Sequence, residues 1–319
     1  MPPGMAAGLS PPGTTRAQRV PAAMPPFLVR PDTMNLAAQP IGVFDSGIGG
    51  LSVLQALQAE LPHERFVYLA DSGNAPYGDA RGDAFVCART HAITRYLREQ
   101  HHIKALVVAC NTATAAAIHE VRSSQPDLPL VGLEPALKPA VALSQTGCIG
   151  VIGTRSTLGS GKFSRLLTSL AGQAEFVVQP CDGLARAIEH STALPLATDP
   201  SATETRALCA RYISAMGQFG TEPGEIDTLV LGCTHYVFVV DDLRALVGPQ
   251  VRLIETGEPV ARQTRRLLHK DALLAPEDAV AQIPVPIRLL TTGALAPLQA
   301  AAARWLQLPP DCCGTVAIP

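Results

Sequence analysis

The stretch Ile41-Gly-Val-Phe-Asp-Ser-Gly-Ile-Gly-Gly-Leu51 turns a short apolar run into a glycine-rich loop and then into a helix. Ile41 to Phe44 reads as a buried strand that ends in the polar pair Asp45-Ser46. Beyond the glycines, Leu51, Leu54, Leu57 and Leu61 recur at intervals of three or four, the spacing of one buried helical face. Strand, tight loop and helix in that order form the first half of a β-α-β unit. The same order returns along the chain. Strand-like runs stand at Arg65 to Ala70, Ala105 to Ala109, Leu130 to Leu133, Ile149 to Ile152, Leu229 to Leu231, Val251 to Ile254 and Ile287 to Leu290, with helical patterns between them. Such alternation predicts an α/β protein whose mainly parallel sheets are flanked by helices on both faces.

Two of these runs have echoes. Ile41-Gly-Val-Phe-Asp-Ser46 recurs in character as Ile149-Gly-Val-Ile-Gly-Thr154, and Ala105-Leu-Val-Val-Ala-Cys-Asn-Thr112 as Thr228-Leu-Val-Leu-Gly-Cys-Thr-His235. The repeat suggests two structurally related α/β domains facing one another, although buried parallel strands also resemble each other by chance. The expected division is 41–133 plus 244–319 for the first domain and 134–243 for the second. Residues 1–40 carry nine prolines and read as a disordered, proline-rich tail, in which Met24 and Met34 are alternative starts.

Composition narrows the function classes. The 319 residues are 47% hydrophobic and 16% charged, the balance of a packed globular chain. A net charge of −2 supplies no field to gather nucleic acid or anionic lipid, so a small-molecule partner is expected, with no nucleic acid and no membrane. No stretch approaches the ~20 apolar residues of a membrane span, and the amino terminus lacks a signal-peptide core. A cytoplasmic location is therefore expected. The eight cysteines form no regular framework and read as reduced thiols.

In open parallel α/β sheets, ligands bind beyond the carboxyl ends of the strands. That rule selects Asp45 and Ser46, Asp71 and Ser72, Cys110 to Thr112, Thr154, Cys233 to His235, and Glu255 to Gly257. The loop Asp45 to Gly50 lacks the last glycine of a dinucleotide fingerprint, where Ser52 stands, and no Gly-Lys-Ser/Thr follows. Its glycines suit instead the close approach of a carboxylate to backbone N–H groups, or simply a capped turn. Cys110 and Cys233 each end a strand, precede a polar pair and are expected near a helix N-terminus, where the local positive charge lowers a thiol pKa. No metal is expected at Cys233-x-His235, which lacks the usual zinc-ligand gap and a second pair. Cys, His and Asp together also leave a nucleophilic hydrolase open.

The motifs Ile41 to Leu51, Ala75-Pro-Tyr-Gly78, Val107-Val-Ala-Cys-Asn-Thr-Ala113 and Leu231-Gly-Cys-Thr-His-Tyr236 resemble those of glutamate racemase, a member of the aspartate/glutamate racemase superfamily. Gly132 to Ala140 and Gly150 to Leu158 extend the likeness, which leaves only the first forty residues outside. The resemblance implies two pseudosymmetric α/β domains with the active site in the cleft between them. It implies an isomerase that needs no cofactor, pyridoxal phosphate included, and interconverts L- and D-glutamate by two-cysteine, two-base proton transfer. It implies a supply of D-glutamate for peptidoglycan, hence for cell-wall biogenesis and cell shape. Cys110 and Cys233 are then the two acid/base groups, assisted by Asp45 and His235 respectively. Glu189 sits where the family has a further acidic residue near the second cysteine. Substrate contacts fall to Ser46, Pro76, Tyr77, Gly78, Asn111, Thr112, Thr154 and Thr234.

Two departures from the family pattern, Val237 for a usual Pro and Glu255 for a common Asp, touch no proposed proton path. The extension at the amino terminus resembles that of relatives activated by a peptidoglycan precursor, and a homodimer is left open. The competing readings are aspartate racemase, a cysteine-dependent amidohydrolase working through an acyl-enzyme, and a non-catalytic amino-acid-binding module.

Overall fold

The computed structural model describes residues 36–77, 81–192, 200–276 and 286–319. Its strands are β1 (Ile41–Asp45), β2 (Phe66–Ala70), β3 (Ala105–Val108), β4 (Leu130–Gly132), β5 (Cys148–Gly153), β6 (Glu175–Pro180), β7 (Thr228–Leu231), β8 (Arg252–Ile254), β9 (Ile287–Thr291) and β10 (Cys313–Thr315). The α-helices are α1 (Leu51–Glu60), α2 (Gly82–His101), α3 (Asn111–Ser124), α4 (Leu137–Leu143), α5 (Arg155–Leu158), α6 (Gly161–Ser169), α7 (Leu184–Thr192), α8 (Pro200–Ser214), α9 (Val240–Val247), α10 (Gly257–Lys270) and α11 (Leu295–Ala301).

Two sheets result, and every strand pair in them is parallel. The first runs β10-β9-β2-β1-β3-β4 and the second β6-β5-β7-β8. The expected α/β class is what forms. The central strands are buried on both faces: Ile41 to Asp45, Phe66 to Ala70 and Cys148 to Gly153 have no exposed residue. Alternate residues therefore feed opposite cores. Val43, Tyr68 and Val107 pack with Leu54 and Leu57 of α1, whereas Phe44, Leu69 and Val108 pack with Ile93 and Leu97 of α2. Each fully buried Leu or Ile contributes ~1.5–3 kcal/mol of transfer free energy, so the two-sided burial explains why these runs are apolar without alternation.

Three expectations are corrected. The boundary at 243/244 fails because β8 pairs with β7 in the second sheet, so that sheet extends to Ile254. A strand of three residues carries no mark of which sheet it joins. The proposed tail also ends sooner than Pro40. Ala37 is buried and its carbonyl accepts from the Lys104 ammonium at 2.5 Å, while Lys104 N–H donates to Pro40 at 3.0 Å. Lys104 is fully buried against Glu64 at 2.5 Å, and a charge so placed requires every available acceptor. The rest of the expected tail lies outside the described residues. Finally, β6 and β10 were not among the expected strands. Both are sheet edges, β6 closed by Pro180 and β10 made of Cys-Gly-Thr with no apolar run.

The connections place the carboxyl ends of both sheets against each other. Ser52 of α1 donates to the Thr234 carbonyl at 3.3 Å, and Phe238 stacks on Trp305 with ring centroids 4.5 Å apart. One cleft opens between the lobes.

Candidate active site

Asp45, at the end of β1, is fully buried, and its carboxylate accepts from the backbone N–H of Ser46 at 2.8 Å and of Gly50 at 2.5 Å. These bonds wrap the loop around the carboxylate, and Tyr68 ties it down by donating to the Gly47 carbonyl at 2.5 Å. The glycines are needed for proximity. A Cβ on Gly47 would overlap the Glu189 carboxylate, and one on Gly49 would stand 2.5 Å from both His235 Nδ1 and Thr234 Oγ1. The loop of the first lobe is thus clasped by side chains of the second.

Cys110 caps α3: its Sγ accepts from the Ala113 N–H at 3.4 Å, which is the helix N-terminus expected from the sequence. Its thiol donates to Ser46 Oγ at 3.7 Å, and Ser46 in turn donates to Asp45 Oδ1 at 3.4 Å. The chain of contacts is therefore Cys110–Ser46–Asp45. The expected lowering of the thiol pKa is overturned here. Burial, reinforced by the negative charge of Asp45, raises the Cys110 pKa and outweighs the cap and the Ser46 contacts. Burial also raises Asp45, against the pull of His235 and the Gly50 amide.

Cys233 follows β7 and opens a 3-10 turn, Thr234–Val239. Its Sγ lies 3.6 Å from His235 Nδ1, and His235 Nε2 lies 2.6 Å from Glu189 Oε1. Glu189 also accepts from the Ile48 N–H at 2.6 Å, which makes it a strut between the lobes. Burial alone would discharge His235, but its bonds to Cys233 and Glu189 outweigh that and raise its pKa well above the usual imidazole value.

Both thiols line one cavity, together with Asp45, Ser46, Pro76, Tyr77, Asn111, Thr112, Thr154, Glu189, Thr234 and His235. The described residues that the resemblance assigns to the site are brought together there, whereas the strand-end candidates Asp71, Ser72 and Glu255 to Gly257 do not line the cavity. Gly78 lies outside the described residues. Asn111 is buried, and neither of its amide atoms has a partner among the described residues, so a donor and an acceptor are offered to whatever fills the cleft. Thr112 and Thr154 touch at 3.1 Å and share Thr157, at 3.3 Å and 2.9 Å, in a hydroxyl triangle that joins the two lobes.

Tyr77, expected to contact the substrate, lines the cavity and also braces the wall behind it. Its hydroxyl donates to Asp71 at 2.6 Å, and Asp71 is gripped by Arg89 at 3.1 Å through both oxygens and by Thr292 at 2.7 Å. Burial would raise Asp71, but these donors outweigh it and hold the carboxyl below its ordinary value. Tyr77 thus faces the cavity with its ring while its hydroxyl is committed to the wall behind. Arg89 and Thr157 escaped sequence reasoning, since a mid-helix arginine or threonine reads as a solvated face. Arg186 also lines the cavity, and its place one helical turn before Glu189 was the available signal.

A larger cavity, of about 780 Å³, lies at the amino ends of β2 and β9, lined by Arg65, His101, Arg288 and Cys312. It contains neither thiol of the cleft and stands at the wrong end of the strands for a ligand site in a parallel α/β sheet.

Two parallel α/β lobes that present a thiol from each side to one buried, polar cleft define a class of protein: a two-lobed enzyme with paired titratable groups around a small polar molecule. The sequence comparisons particularise it. The family model for Asp/Glu/Hydantoin racemase matches residues 49–264. The glutamate racemase of Ectopseudomonas mendocina (strain ymp) is 46% identical over 248 residues, 78% of this chain and 89% of that protein. That of Cupriavidus pinatubonensis is 46% identical over 243 residues, 76% and 84% of the two chains. Among solved structures, glutamate racemase isoform RacE1 from Bacillus anthracis superposes with a TM-score of 0.72 at 28% identity, over 88% of this chain and 97% of that one. Escherichia coli glutamate racemase, solved in complex with L-glutamate and the activator UDP-MurNAc-Ala, gives 0.71 at 28% identity, over 88% and 99%. The chain belongs to the Asp/Glu/hydantoin racemase family, and within it to the glutamate racemases, which are amino-acid isomerases.

Proposed function

We propose that this chain interconverts L- and D-glutamate by moving the Cα proton between Cys110 on one side of the cleft and Cys233 on the other. The observation that carries this reading is the shared cavity, in which each thiol has its own proton partner. Inversion requires a base on one face of Cα and an acid on the other, so one sulfur starts a turnover as thiolate and the other as thiol. Cys110, raised by burial, holds its proton at rest. His235, raised by Cys233 and Glu189, is a proton reservoir in contact with the second sulfur. Asn111 and the threonine triangle are the donors that hold the α-carboxylate and stabilise the developing carbanion, since the Ile48 and Gly50 N–H groups are committed to Glu189 and Asp45.

The cleft holds only about 40 Å³ of free space, room for a few waters at ~10–15 Å³ each. Glutamate requires more, so the lobes part to admit it and close again to exclude water. No helix among the described residues is long and apolar enough to cross a membrane. A cytoplasmic enzyme that feeds D-glutamate to peptidoglycan synthesis fits these features. By likeness to the Escherichia coli complex, a peptidoglycan precursor is proposed as its activator.

The test is exchange. Purified protein mixed with L-glutamate in deuterated water, without added pyridoxal, is expected to abolish the optical rotation while deuterium enters Cα. Deuteration of L-aspartate alone would transfer the assignment to aspartate, and a lasting acyl mass on Cys110 or Cys233 would mark a hydrolase instead.

A further inference from the structure

Cys87 and His91 lie four residues apart on α2, and Glu120 lies on the adjoining α3. A thiol and an imidazole at that spacing project from one helical face. The Cys87 thiol donates to Glu120 Oε2 at 3.0 Å, and His91 Nε2 stands 3.9 Å from the same oxygen. One donor atom from each of the three residues falls within 4.8 Å of the others. All three sit outside the racemase cleft. From this geometry we propose a zinc site on the face shared by α2 and α3, with Cys87 Sγ, His91 Nε2 and Glu120 Oε2 as ligands and water in the fourth position.

The chemistry favours zinc over harder cations. Thiolate, imidazole and one carboxylate form a mixed soft and borderline set, whereas magnesium and calcium take oxygen ligands. Ligand bonds of ~2.0–2.3 Å around a tetrahedral ion leave donor atoms roughly 3.4–3.6 Å apart. The contacts at 3.0 and 3.9 Å bracket that separation, so rotamer adjustment completes the site. Without metal the Cys87 thiol carries the proton it donates to Glu120. Binding must therefore release that proton to solvent as the zinc–sulfur bond replaces sulfur–hydrogen and zinc loses water. The ion then staples α2 to α3. Cys87 and His91 flank Arg89, which grips Asp71 behind Tyr77, and α3 begins with Asn111 and Thr112 of the cleft.

Because Cys110, Cys233 and His235 could also bind metal, the experiment uses the full chain carrying Cys110→Ala and Cys233→Ala, reduced and stripped with chelator. Titration with cobalt(II) is expected to give a thiolate-to-cobalt charge-transfer band and tetrahedral visible bands at one equivalent. Zinc chloride should bind with release of one proton, read as a buffer-dependent heat, and raise the melting temperature by several degrees. Cys87→Ser should abolish the charge-transfer band, and His91→Ala should weaken binding at least tenfold. In the otherwise native chain, Cys87→Ser should keep the basal racemase rate, which shows that the variant folds. A charge-transfer band that survives Cys87→Ser, or zinc binding unchanged by both Cys87→Ser and His91→Ala, overturns the site.

Discussion

The two sides of the cleft reach the same end by different means. On the first, Cys110 donates to a serine that leans on a buried aspartate; on the second, Cys233 meets a histidine that leans on a glutamate. Both line up a thiol, an intermediary and a carboxylate, but the intermediaries differ in kind. A hydroxyl passes a proton without holding a charge, whereas an imidazole can hold one. The two ends of the cleft are therefore unequal in how they handle a proton, an asymmetry on which the proposed two-base scheme rests.

The comparison breaks first at sulfur. Cys110→Ala and Cys233→Ala should each lower kcat by ~10⁴-fold or more, beyond the ~10²–10⁴ usual for a single assisting acid or base. If either variant keeps a near-normal rate in the optical-rotation assay, the two-base scheme fails. Next come the intermediaries. His235→Asn and Ser46→Ala should each cost ~10²-fold in kcat/KM. The primary isotope effect on Cα-deuterated substrate should grow for one enantiomer in the first variant and for the other in the second. The same enantiomer responding in both would mean that the relays serve one face.

The clasp between the lobes can be tested without touching a proton carrier. Gly49→Ala places a methyl group against His235 and Thr234, and misplacement by about 1 Å can cost ~10²-fold. A rate within twofold of the unaltered chain would show that the loop has slack there.

The smallest effects are in stability against pH. His235 has a raised folded-state pKa, so its contribution is complete below ~6.5 and is lost as pH rises through the folded value. Cys110, also raised, contributes below ~8.5 and loses that contribution above it. Thermal unfolding of His235→Asn should flatten the decline that sets in at about pH 6.5, and Cys110→Ala the further decline that sets in at about 8.5. Asp71 runs the other way: lowered in the fold, it stabilises above ~3.9 and loses that as pH falls through its folded value. Asp71→Asn should therefore flatten the acid limb only. Interchange of these windows between the variants would contradict the charges assigned to the two sides.

Much of this was legible in the chain. The alternation of strand and helix established parallel sheets, and the strand-end rule picked both thiols, Asp45, Asn111 and His235 without knowledge of their contacts. Glu189 was reached only through resemblance, since a carboxylate in the middle of a helix carries no local mark. Arg89 and Thr157 were invisible for the same reason. Their partners Asp71 and Thr112 stand 18 and 45 residues away and come near only after folding, while Thr154, three residues before Thr157, marks no more than a helix cap.

Sequence alone determined where strands end, and thereby which reactive groups stand at the rim of each sheet, because burial on both faces demands unbroken apolar runs that stop where the polar residues begin. Tertiary structure decided the rest: that the two rims meet, that Ser46 and His235 become intermediaries, and that Cys110 is raised and not lowered. Desolvation and hydrogen bonding depend on what surrounds an atom in space, and only the packed lobes supply those surroundings.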